Sequence, residues 1–372
     1  MKSFFYCCLT TFLCFSQSLS SQEPSIETVK ISEHFYVLYG GNGQGSNVGV
    51  LIQEEGILLV DAMVAESGEK LLAAIRQLSG KPIKYVLNTH GDFDHSGGNQ
   101  LLAEQGTTII AHENAVYNGG WSQMTFKDKF SLRFGNETIR AWHSPSHSNS
   151  DITIYIENEN ALFLGDTFSN VWHPTFYATG MAGQYKVLEQ AKVLANDKTS
   201  IIPGHGFVTD LKDIEHYEQG CQLWMTRMTQ LHNEGKTLES MITDSELLAL
   251  RRRFTEKHPN GNMPDMNFQR LIQRTISSEF VEVTPLSNLA HYTGVFQNEE
   301  GIKTKVFLSE GRLMAAVEGE YMVELLPVAP ARFYLRAWID HFFEFKNDDQ
   351  GKVTSINHLQ SDGKSVLTLI QH

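Results

Sequence analysis

The chain has 372 residues, of which 41% are hydrophobic, and its formal net charge is −13 at pH 7. This length and this apolar fraction predict a folded protein with one large and one smaller domain, and they argue against a disordered chain. The acidic balance argues against sequence-independent binding of nucleic acid, which depends on neutralising phosphates, so no nucleic-acid partner is expected.

The first 20 residues, MKSFFYCCLTTFLCFSQSLS, have the pattern of a cleavable secretory signal. Lys2 precedes an apolar run from Phe4 to Phe15, and a serine-rich stretch follows. Because this run is shorter than the roughly 20 residues that span a bilayer, cleavage is favoured over a membrane anchor. We therefore expect an exported protein, periplasmic or secreted, without a stable membrane anchor.

Three of the four cysteines lie in this signal, so the exported chain keeps only Cys221. A single cysteine forms no internal disulfide and cannot supply a thiolate cluster for zinc. Any metal ligands must therefore come from histidines and carboxylates.

Short apolar runs broken by glycine predict antiparallel strands between residues 27 and 63. The next segment, residues 67–82, places Leu71, Leu72, Ile75 and Leu78 on one helical stripe. IKYVLNTH then predicts a buried strand that ends at His90. Strand-like and helical segments continue to alternate, which is typical of an α/β or α+β protein with two sheets between helices. Residues 210–283 repeat apolar residues every three or four positions, which predicts a helical extension.

Residues 287–372 contain short strand-like runs joined by turns such as SEGR, DDQGK and SDGK. This pattern predicts a separate, smaller all-β domain of antiparallel strands. The stretches YTGVF and DDQGKVTSINH resemble small β-barrel domains appended to some serine β-lactamase-like and peptidase proteins. Since this domain has no candidate catalytic cluster, we expect it to shield the site, bind substrate or hold subunits together. The sequence leaves the formation of a homo-oligomer open.

The stretch NTHGDFDHSGGN, residues 88–99, lies on a loop between a strand and a helix that starts near Asn99. It contains His90, Asp92, Asp94 and His95, whose spacing lets neighbouring side chains point to two different metals. Imidazole nitrogens and carboxylate oxygens hold divalent metals, and a site that activates water also needs open positions. Taken alone, the cluster could also be a solvated turn with a helix-capping aspartate.

Three further side chains occupy loops at the ends of apolar strands. They are His147 in SPSHSNSD, Asp166 in LFLGDTF and His205 in IIPGHG. Several strands can converge on one site from such positions. Together with the cluster in residues 88–99, these three side chains make four polar groups at strand ends, which favours a metal centre over a solvated turn.

Residues 28–283 resemble the metallo-β-lactamase superfamily of dinuclear metal hydrolases, with its lactamase-like and glyoxalase II-like branches. Its signature is H-x-H-x-D-H-x-G-G, followed by a histidine, a bridging aspartate and a last histidine. The resemblance implies an α/β fold, the αββα sandwich, with the site at one edge of the sheets. It also implies two divalent metal ions, with His90, Asp92 and His147 holding one, Asp94, His95 and His205 holding the other, Asp166 bridging them, and Asp61 supporting the ligands from a strand end.

Asp92 departs from this signature, because a carboxylate replaces the second histidine. An H-x-D-x-D-H string resembles that of the nuclease-like domain in some DNA-uptake membrane proteins, and flavodiiron proteins carry glutamate there, so metal binding remains compatible. Asp92, Asp94, Asp166 and a bridging hydroxide would neutralise two divalent ions. Zinc is the first expected metal, and the oxygen-rich ligand set makes manganese and ferrous iron its rivals. A degenerate, metal-free relative is the alternative.

These features predict an exported hydrolase in which a metal-bridging hydroxide attacks a small-molecule substrate, namely a cyclic amide, an ester or a lactone-like compound. Asp94 is the expected catalytic residue, since it would orient the hydroxide as well as bind metal. A phosphodiesterase of the same fold and a catalytically silent ligand-binding protein are the alternatives.

Other segments allow two interpretations each. Trp172, His173, Phe176 and Tyr177 follow Asp166 directly and are candidates for an apolar substrate pocket, or they pack beneath the helices. The glycine-rich segment 40–47 is either a mobile flap over the site or a turn. His112 and His143 are expected to support structure rather than bind metal.

Overall fold

The computed structural model describes residues 26–41, 43–118, 121–261, 263–361 and 363–371. The predicted signal, residues 1–20, lies outside these ranges. Within them, no helix combines the length and the apolar character that crossing a membrane requires.

The first sheet contains seven strands within the described residues. Their bounds are Glu27–Lys30 (β1), Phe35–Tyr39 (β2), Val48–Gln53 (β3), Gly56–Val60 (β4), Ile83–Leu87 (β5), Thr108–His112 (β6) and Met124–Phe126 (β7). They pair in chain order, antiparallel from β1 to β4 and parallel from β4 to β7. The parallel pairing brings the carboxyl ends of β4 and β5 to the same edge of the sheet.

The second sheet contains five strands in the described part of the chain. Their bounds are Lys129–Phe134 (β8), Glu137–His143 (β9), Ile152–Ile156 (β10), Ala161–Phe163 (β11) and Ser200–Ile202 (β12). The spatial order is β12-β11-β10-β9-β8, and β11 and β12 form its parallel pair. The loops after β11 and β12 therefore leave the sheet side by side.

Eight α-helices lie in the described ranges. Their bounds are Gly68–Leu78 (α1), Phe93–Ser96 (α2), Asn99–Glu104 (α3), Gly180–Leu194 (α4), Leu211–Asn233 (α5), Leu238–Ile242 (α6), Ser245–Phe254 (α7) and Asp265–Glu279 (α8). The predicted stripe of α1 is inward-facing, since Leu71, Leu72 and Ile75 are buried against the first sheet. Each such side chain contributes about 1.5–3 kcal/mol when fully buried.

The layers are those of a sandwich. One apolar core fills the space between the two sheets, a second lies under α1 and α3, and a third lies under α4, α5, α7 and α8. The structure thus confirms the predicted fold class, an αββα sandwich with a smaller all-β domain.

The C-terminal part of the described chain is a closed barrel of eight strands. Their bounds are Gly294–Gln297 (β13), Lys303–Ser309 (β14), Arg312–Val317 (β15), Met322–Ala329 (β16), Arg332–Leu335 (β17), Phe342–Asn347 (β18), Val353–Gln360 (β19) and Gly363–Gln371 (β20). Antiparallel pairing of β13 with β20 closes it. Phe296, Phe333 and Phe343 fill the interior, so the barrel has a core of its own.

The barrel caps the C-terminal end of α8. The last carbonyl groups of a helix have no partner inside the helix. The Ser277 carbonyl accepts from the Ala337 N–H at 3.2 Å, and the Ser278 carbonyl accepts from Arg336 Nη1 at 2.8 Å. Arg336 Nε also donates to Glu324 Oε2 at 2.8 Å, which holds the guanidinium in place. Polar contacts therefore set the position of the barrel against the sandwich.

Candidate metal centre

The predicted ligands leave the ends of strands at one edge of the sandwich. The segment from His90 to His95 follows β5, His147 lies between β9 and β10, and Asp166 and His205 follow β11 and β12. Backbone hydrogen bonds connect these loops, from the Gly204 N–H to the Gly165 carbonyl (2.8 Å) and from the Ile152 N–H to the Thr89 carbonyl (2.8 Å). The fold therefore brings together side chains that are more than 100 positions apart in the chain.

The first group of ligand atoms belongs to His90, His147 and Asp166, which lie within 4.8 Å of one another. Nε2 of His147 lies 4.0 Å from Oδ2 of Asp166. Two imidazoles and one carboxylate at such distances can hold a divalent metal ion.

The second group belongs to Asp94, His95 and His205, again within 4.8 Å of one another. Nε2 of His205 lies 3.1 Å from Oδ2 of Asp94. The other oxygen of Asp166, Oδ1, lies 3.2 Å from Nε2 of His95 and 3.6 Å from Nε2 of His205. Asp166 thus presents one oxygen to each group, as a bridging carboxylate would.

The donor set fits metal ions better than it fits hydrogen bonds within the chain. Nε2 of His90, Nε2 of His95 and Oδ1 of Asp166 are buried without a hydrogen-bond partner among the described residues. Buried polar atoms of this kind are rare, because each costs about 1–3 kcal/mol if nothing pairs with it. Their convergence is what a pair of metal ions would require.

Asp61 and Thr89 orient the two buried imidazoles. Asp61 Oδ2 accepts from Nδ1 of His95 at 2.8 Å, and it also accepts from the Thr89 hydroxyl at 2.7 Å. Because that hydroxyl donates to Asp61, it can only accept at the 3.1 Å contact with Nδ1 of His90. Both rings therefore carry a proton on Nδ1, so Nε2 is the atom that each ring offers to a metal, the usual arrangement for metal-bound histidines.

The structure places Asp92 beside the first group. Its Oδ2 lies 3.1 Å from Nε2 of His147 and 3.7 Å from Nε2 of His90. Its side chain is 35% exposed, whereas that of His90 is buried. Asp92 therefore lies within reach of a metal held by these histidines, at the open side of the site.

Without a metal, the carboxylates of the cluster raise the pKa of neighbouring histidines. Burial lowers the pKa of His147, but the hydrogen bond and the charge of Asp92 raise it to about 9. Burial also lowers the pKa of His95, but Asp166 and Asp61 raise it well above its ordinary value. Such a concentration of carboxylates around imidazoles favours cations at this position.

Asp151 shapes the loop that carries His147. Its Oδ2 accepts from the N–H groups of Ser146 (3.0 Å) and Ser148 (2.9 Å), and its Oδ1 accepts from the Ser148 hydroxyl. Sequence reasoning missed this residue, and it missed Thr89. For Asp151, an aspartate that closes a run of serines and begins an apolar strand is the signal that could have found it.

The glycine-rich segment is a packed turn over residues 44–47. The Ser46 N–H donates to the Asp94 carbonyl and the Asn47 N–H to the Gly204 carbonyl, both at 2.8 Å. Gly45 has φ +110°, and a Cβ there would lie 2.6 Å from the Asp94 carbonyl oxygen. Gln44 and Ser46 are also buried, so the turn interpretation fits these residues.

Cavities open on both sides of the cluster. One, of about 390 Å³, is lined by Asp92, His147 and Tyr177, and another, of about 660 Å³, by Asp94 and His205. The side chain of Phe93, 76% exposed, borders both.

The structure places the four predicted pocket residues in three different surroundings. Trp172 and His173 line a third cavity, of about 330 Å³, next to Asp166 and His205, and Tyr177 lines the cavity beside His147. Phe176 is fully buried in the core under the helices, so its assignment to a pocket is wrong. Burial alternates along residues 174–178, and Phe176 falls on a buried position.

His112 and His143 stack on each other, with ring centroids 3.7 Å apart. Nε2 of His112 donates to the Lys127 carbonyl (2.7 Å) and its Nδ1 accepts from the Asn114 N–H (3.1 Å). Nε2 of His143 donates to the Asn149 carbonyl at 3.0 Å. Both rings are used by hydrogen bonds, as expected of structural histidines.

The sequence comparison agrees with this geometry. The model of the metallo-beta-lactamase superfamily matches residues 41–205, a range that ends at the last ligand candidate and includes the other six. These residues form a metallo-β-lactamase domain. Helices α5 to α8 and the barrel lie beyond the matched range of that domain.

Curated relatives of the metallo-β-lactamase domain cover part of the chain. A probable hydroxyacylglutathione hydrolase of Schizosaccharomyces pombe is 32% identical over 36% of this chain and 52% of its own length. A hydroxyacylglutathione hydrolase of Pelagibacter ubique is 30% identical over 36% of this chain and 56% of its own length. The chain thus spans about half the length of these relatives.

A solved structure of a metallo-beta-lactamase from Pontibacter korlensis is 20% identical in sequence to this chain. It aligns with a TM-score of 0.47 and covers 53% of this chain and 99% of that one.

Proposed function

We propose that this protein is a metal-dependent hydrolase with two divalent ions, acting on activated carboxylic acyl compounds such as esters, thioesters, lactones or cyclic amides. The observation that carries the proposal is the position of Asp166, whose two oxygens face two separate groups of ligand atoms. Relatives named hydroxyacylglutathione hydrolase support an acyl substrate, since that name describes a thioester.

Each predicted ligand has a role in this proposal. His90, His147 and Asp166 would hold one ion with Asp92 at its open side, and Asp94, His95 and His205 would hold the other. Two bound divalent ions would supply an activated water and a Lewis acid for the substrate carbonyl. Zinc is the proposed metal, with manganese and ferrous iron as rivals because of the three carboxylates.

Asp94 is the proposed catalytic carboxylate. Its side chain is 24% exposed and lines the larger cavity, and its Oδ2 lies 3.1 Å from Nε2 of His205. One carboxylate oxygen thus stays available to orient water and to take its proton. Burial raises the pKa of Asp94, but the bond from His205 and the charge of His95 lower it, so the carboxylate is ionised at neutral pH.

The test is a substrate panel on the purified, metal-loaded chain. We expect hydrolysis of an S-acyl thioester, a 4-nitrophenyl ester, a lactone or a β-lactam, abolished by EDTA and restored by zinc. Bis(4-nitrophenyl) phosphate in the same panel tests for a phosphodiesterase. A metal-loaded chain inactive on every compound would favour the silent binding protein.

We also propose export of the chain, on the basis of the apolar run from Phe4 to Phe15. Expression of the full chain in a bacterium, with fractionation and mass measurement of the product, tests this. A product that retains residues 1–20 and stays in the cytoplasm would contradict it.

A further inference from the structure

The barrel forms one wall of the cavity beside Asp92 and His147. The turn between β15 and β16, residues 318–321, and the segment after β17 contribute to its lining. The opposite wall comes from Tyr177 of the metallo-β-lactamase domain and Arg274 of α8. The cavity volume of about 390 Å³ falls within the range of roughly 300–1,000 Å³ that is usual for small-molecule sites.

Asn149 fixes this wall to the metal centre. Its Nδ2 donates to the Met322 carbonyl of the barrel at 3.0 Å. Its own carbonyl accepts from Asn114 Nδ2 (2.8 Å) and from Nε2 of His143 (3.0 Å), and its side chain is buried. Because Asn149 lies two residues after His147, the barrel turn and the ligand loop keep a set separation.

Four aromatic side chains line the cavity, together with polar residues such as Asn114, Ser148 and Glu320. Tyr321 and Trp338 of the barrel pack together, with centroids 4.2 Å apart and planes inclined by 35°. Tyr177 faces the cavity from the other wall, and the Arg274 guanidinium lies 4.0 Å from the centroid of its ring. The exposed Phe93 completes the set. Four aromatic side chains from four separate segments thus surround one space next to the ligands.

The four aromatic side chains of this lining favour a flat apolar group in the ligand. Contacts between aromatic rings are favourable beyond the burial of their area, and an aromatic side chain as exposed as Phe93 is further stabilised when a ligand covers it. A metal centre opening into this space would place the reacting carbonyl at His147 and Asp92 and the apolar group against the barrel.

We propose that the cavity binds an aromatic ring, or an equally flat apolar group, of the substrate, and that Tyr321 and Trp338 of the barrel determine this specificity. The identity of the reacting bond rests on the proposed function above. The binding preference itself rests on the cavity and is measured separately.

The first arm of the test compares two thioesters, S-phenylacetyl and S-acetyl N-acetylcysteamine, on the full metal-loaded chain. We expect Trp338→Ala to lower kcat/KM for the phenylacetyl compound about 3- to 10-fold relative to the acetyl compound, mainly through KM. Trp338→Phe, which keeps a ring, should retain most of the preference. Trp121→Ala is the matched control, because Trp121 is exposed and lies outside the lining of this cavity.

Trp338 also packs against the barrel core, so its loss could unfold the barrel. Tyr321→Leu is the second variant, since it keeps a shorter apolar side chain for packing against the barrel and removes the ring. Circular dichroism and metal content, unchanged in either variant, show that the fold and the centre are intact.

The second arm measures binding of sodium phenylacetate and sodium acetate by calorimetry, without turnover. We expect the wild-type chain to prefer phenylacetate, and folded Trp338→Ala and Tyr321→Leu to lose that preference. Hydrolysis of both thioesters with an unchanged ratio in both variants would overturn the specificity and leave the proposed function standing. Selective phenylacetate binding without any hydrolysis would uphold the aromatic site and sink the proposed function.

Discussion

His95 donates its Nδ1 proton to Asp61 across 2.8 Å, and this hydrogen bond decides which atom of the ring faces the cluster. The Thr89 hydroxyl transmits the same preference to His90, because it donates to Asp61 and accepts from His90. One buried carboxylate at a strand end thus sets the tautomers of two imidazoles.

This relay predicts the effect of Thr89→Val. The variant keeps the shape of the side chain but leaves Nδ1 of His90 without an acceptor, so His90 can exchange its tautomer. We expect metal affinity to fall about 10- to 100-fold, as is usual when a residue that orients a ligand is lost. Competition with a chromogenic chelator measures it. Thr107→Val is the matched control, because Thr107 is equally buried and its hydroxyl donates to the Ile83 carbonyl. Equal affinities in the two variants would contradict the relay.

The number of ions follows from the two ligand groups. The purified chain should contain up to two transition-metal ions, measured by mass spectrometry of the metals. His90→Ala and His205→Ala each remove one imidazole from a different group, so each should lower the content. His34→Ala, at an exposed histidine, should not. A substoichiometric metal content that neither substitution changes would argue against a metal-dependent hydrolase.

Asp92 should set the metal preference of the first group. Asp92→His replaces an oxygen by a nitrogen ligand and should shift bound metal from manganese or iron towards zinc. Asp92→Ala should empty that group selectively. Reconstitution of the stripped chain with an equimolar zinc and manganese mixture measures both effects. If Asp92→Ala keeps full metal content and the wild-type preference, Asp92 is not a ligand.

The sandwich should fold without the barrel, because the two parts have separate cores. A chain that ends at Phe280 should stay soluble and retain its metals. The Ser277 and Ser278 carbonyls would then accept hydrogen bonds from water instead of from the barrel. Its KM should rise, since the cavity beside His147 loses a wall. Solubility, metal content and kinetics measure the outcome. An insoluble or metal-free truncation would show a shared core.

His112 predicts a specific dependence of stability on pH. Burial, aided by the charge of His143, lowers its pKa from 6.5 to about 3. The unfolded chain therefore binds this proton between pH 6.5 and 3 while the folded chain does not. The free energy of unfolding should fall as the pH drops through this window, by at most about 1.4 kcal/mol per pH unit from this group.

Urea unfolding of the metal-free chain at pH 7 and pH 5 measures this effect. His112→Gln keeps an amide that can donate and accept but removes the titration. The wild-type chain should lose more stability between the two pH values than this variant does. If the wild-type chain and the variant lose the same stability between pH 7 and pH 5, His112 does not contribute to the pH dependence.

The sequence by itself determined the fold class and the list of ligand candidates. Strand periodicity and the stripe on α1 are local patterns, since a side chain's face follows from its position within its own element. The spacing within NTHGDFDHSGGN is local in the same sense. The ends of β5, β11 and β12 were readable because an apolar run that stops at a polar residue marks the edge of a buried sheet.

Only the tertiary structure decided which residues face the site. Phe176 and Tyr177 are neighbours in the chain, yet one is core and the other lines a cavity. The bond from Asn149 to Met322 joins positions 173 apart, and no local pattern announces it. Thr89 acts through the hydroxyl hydrogen that it gives to Asp61, and the aromatic wall exists because the barrel docks on α8. Each of these relationships depends on packing between distant segments, which backbone periodicity does not encode.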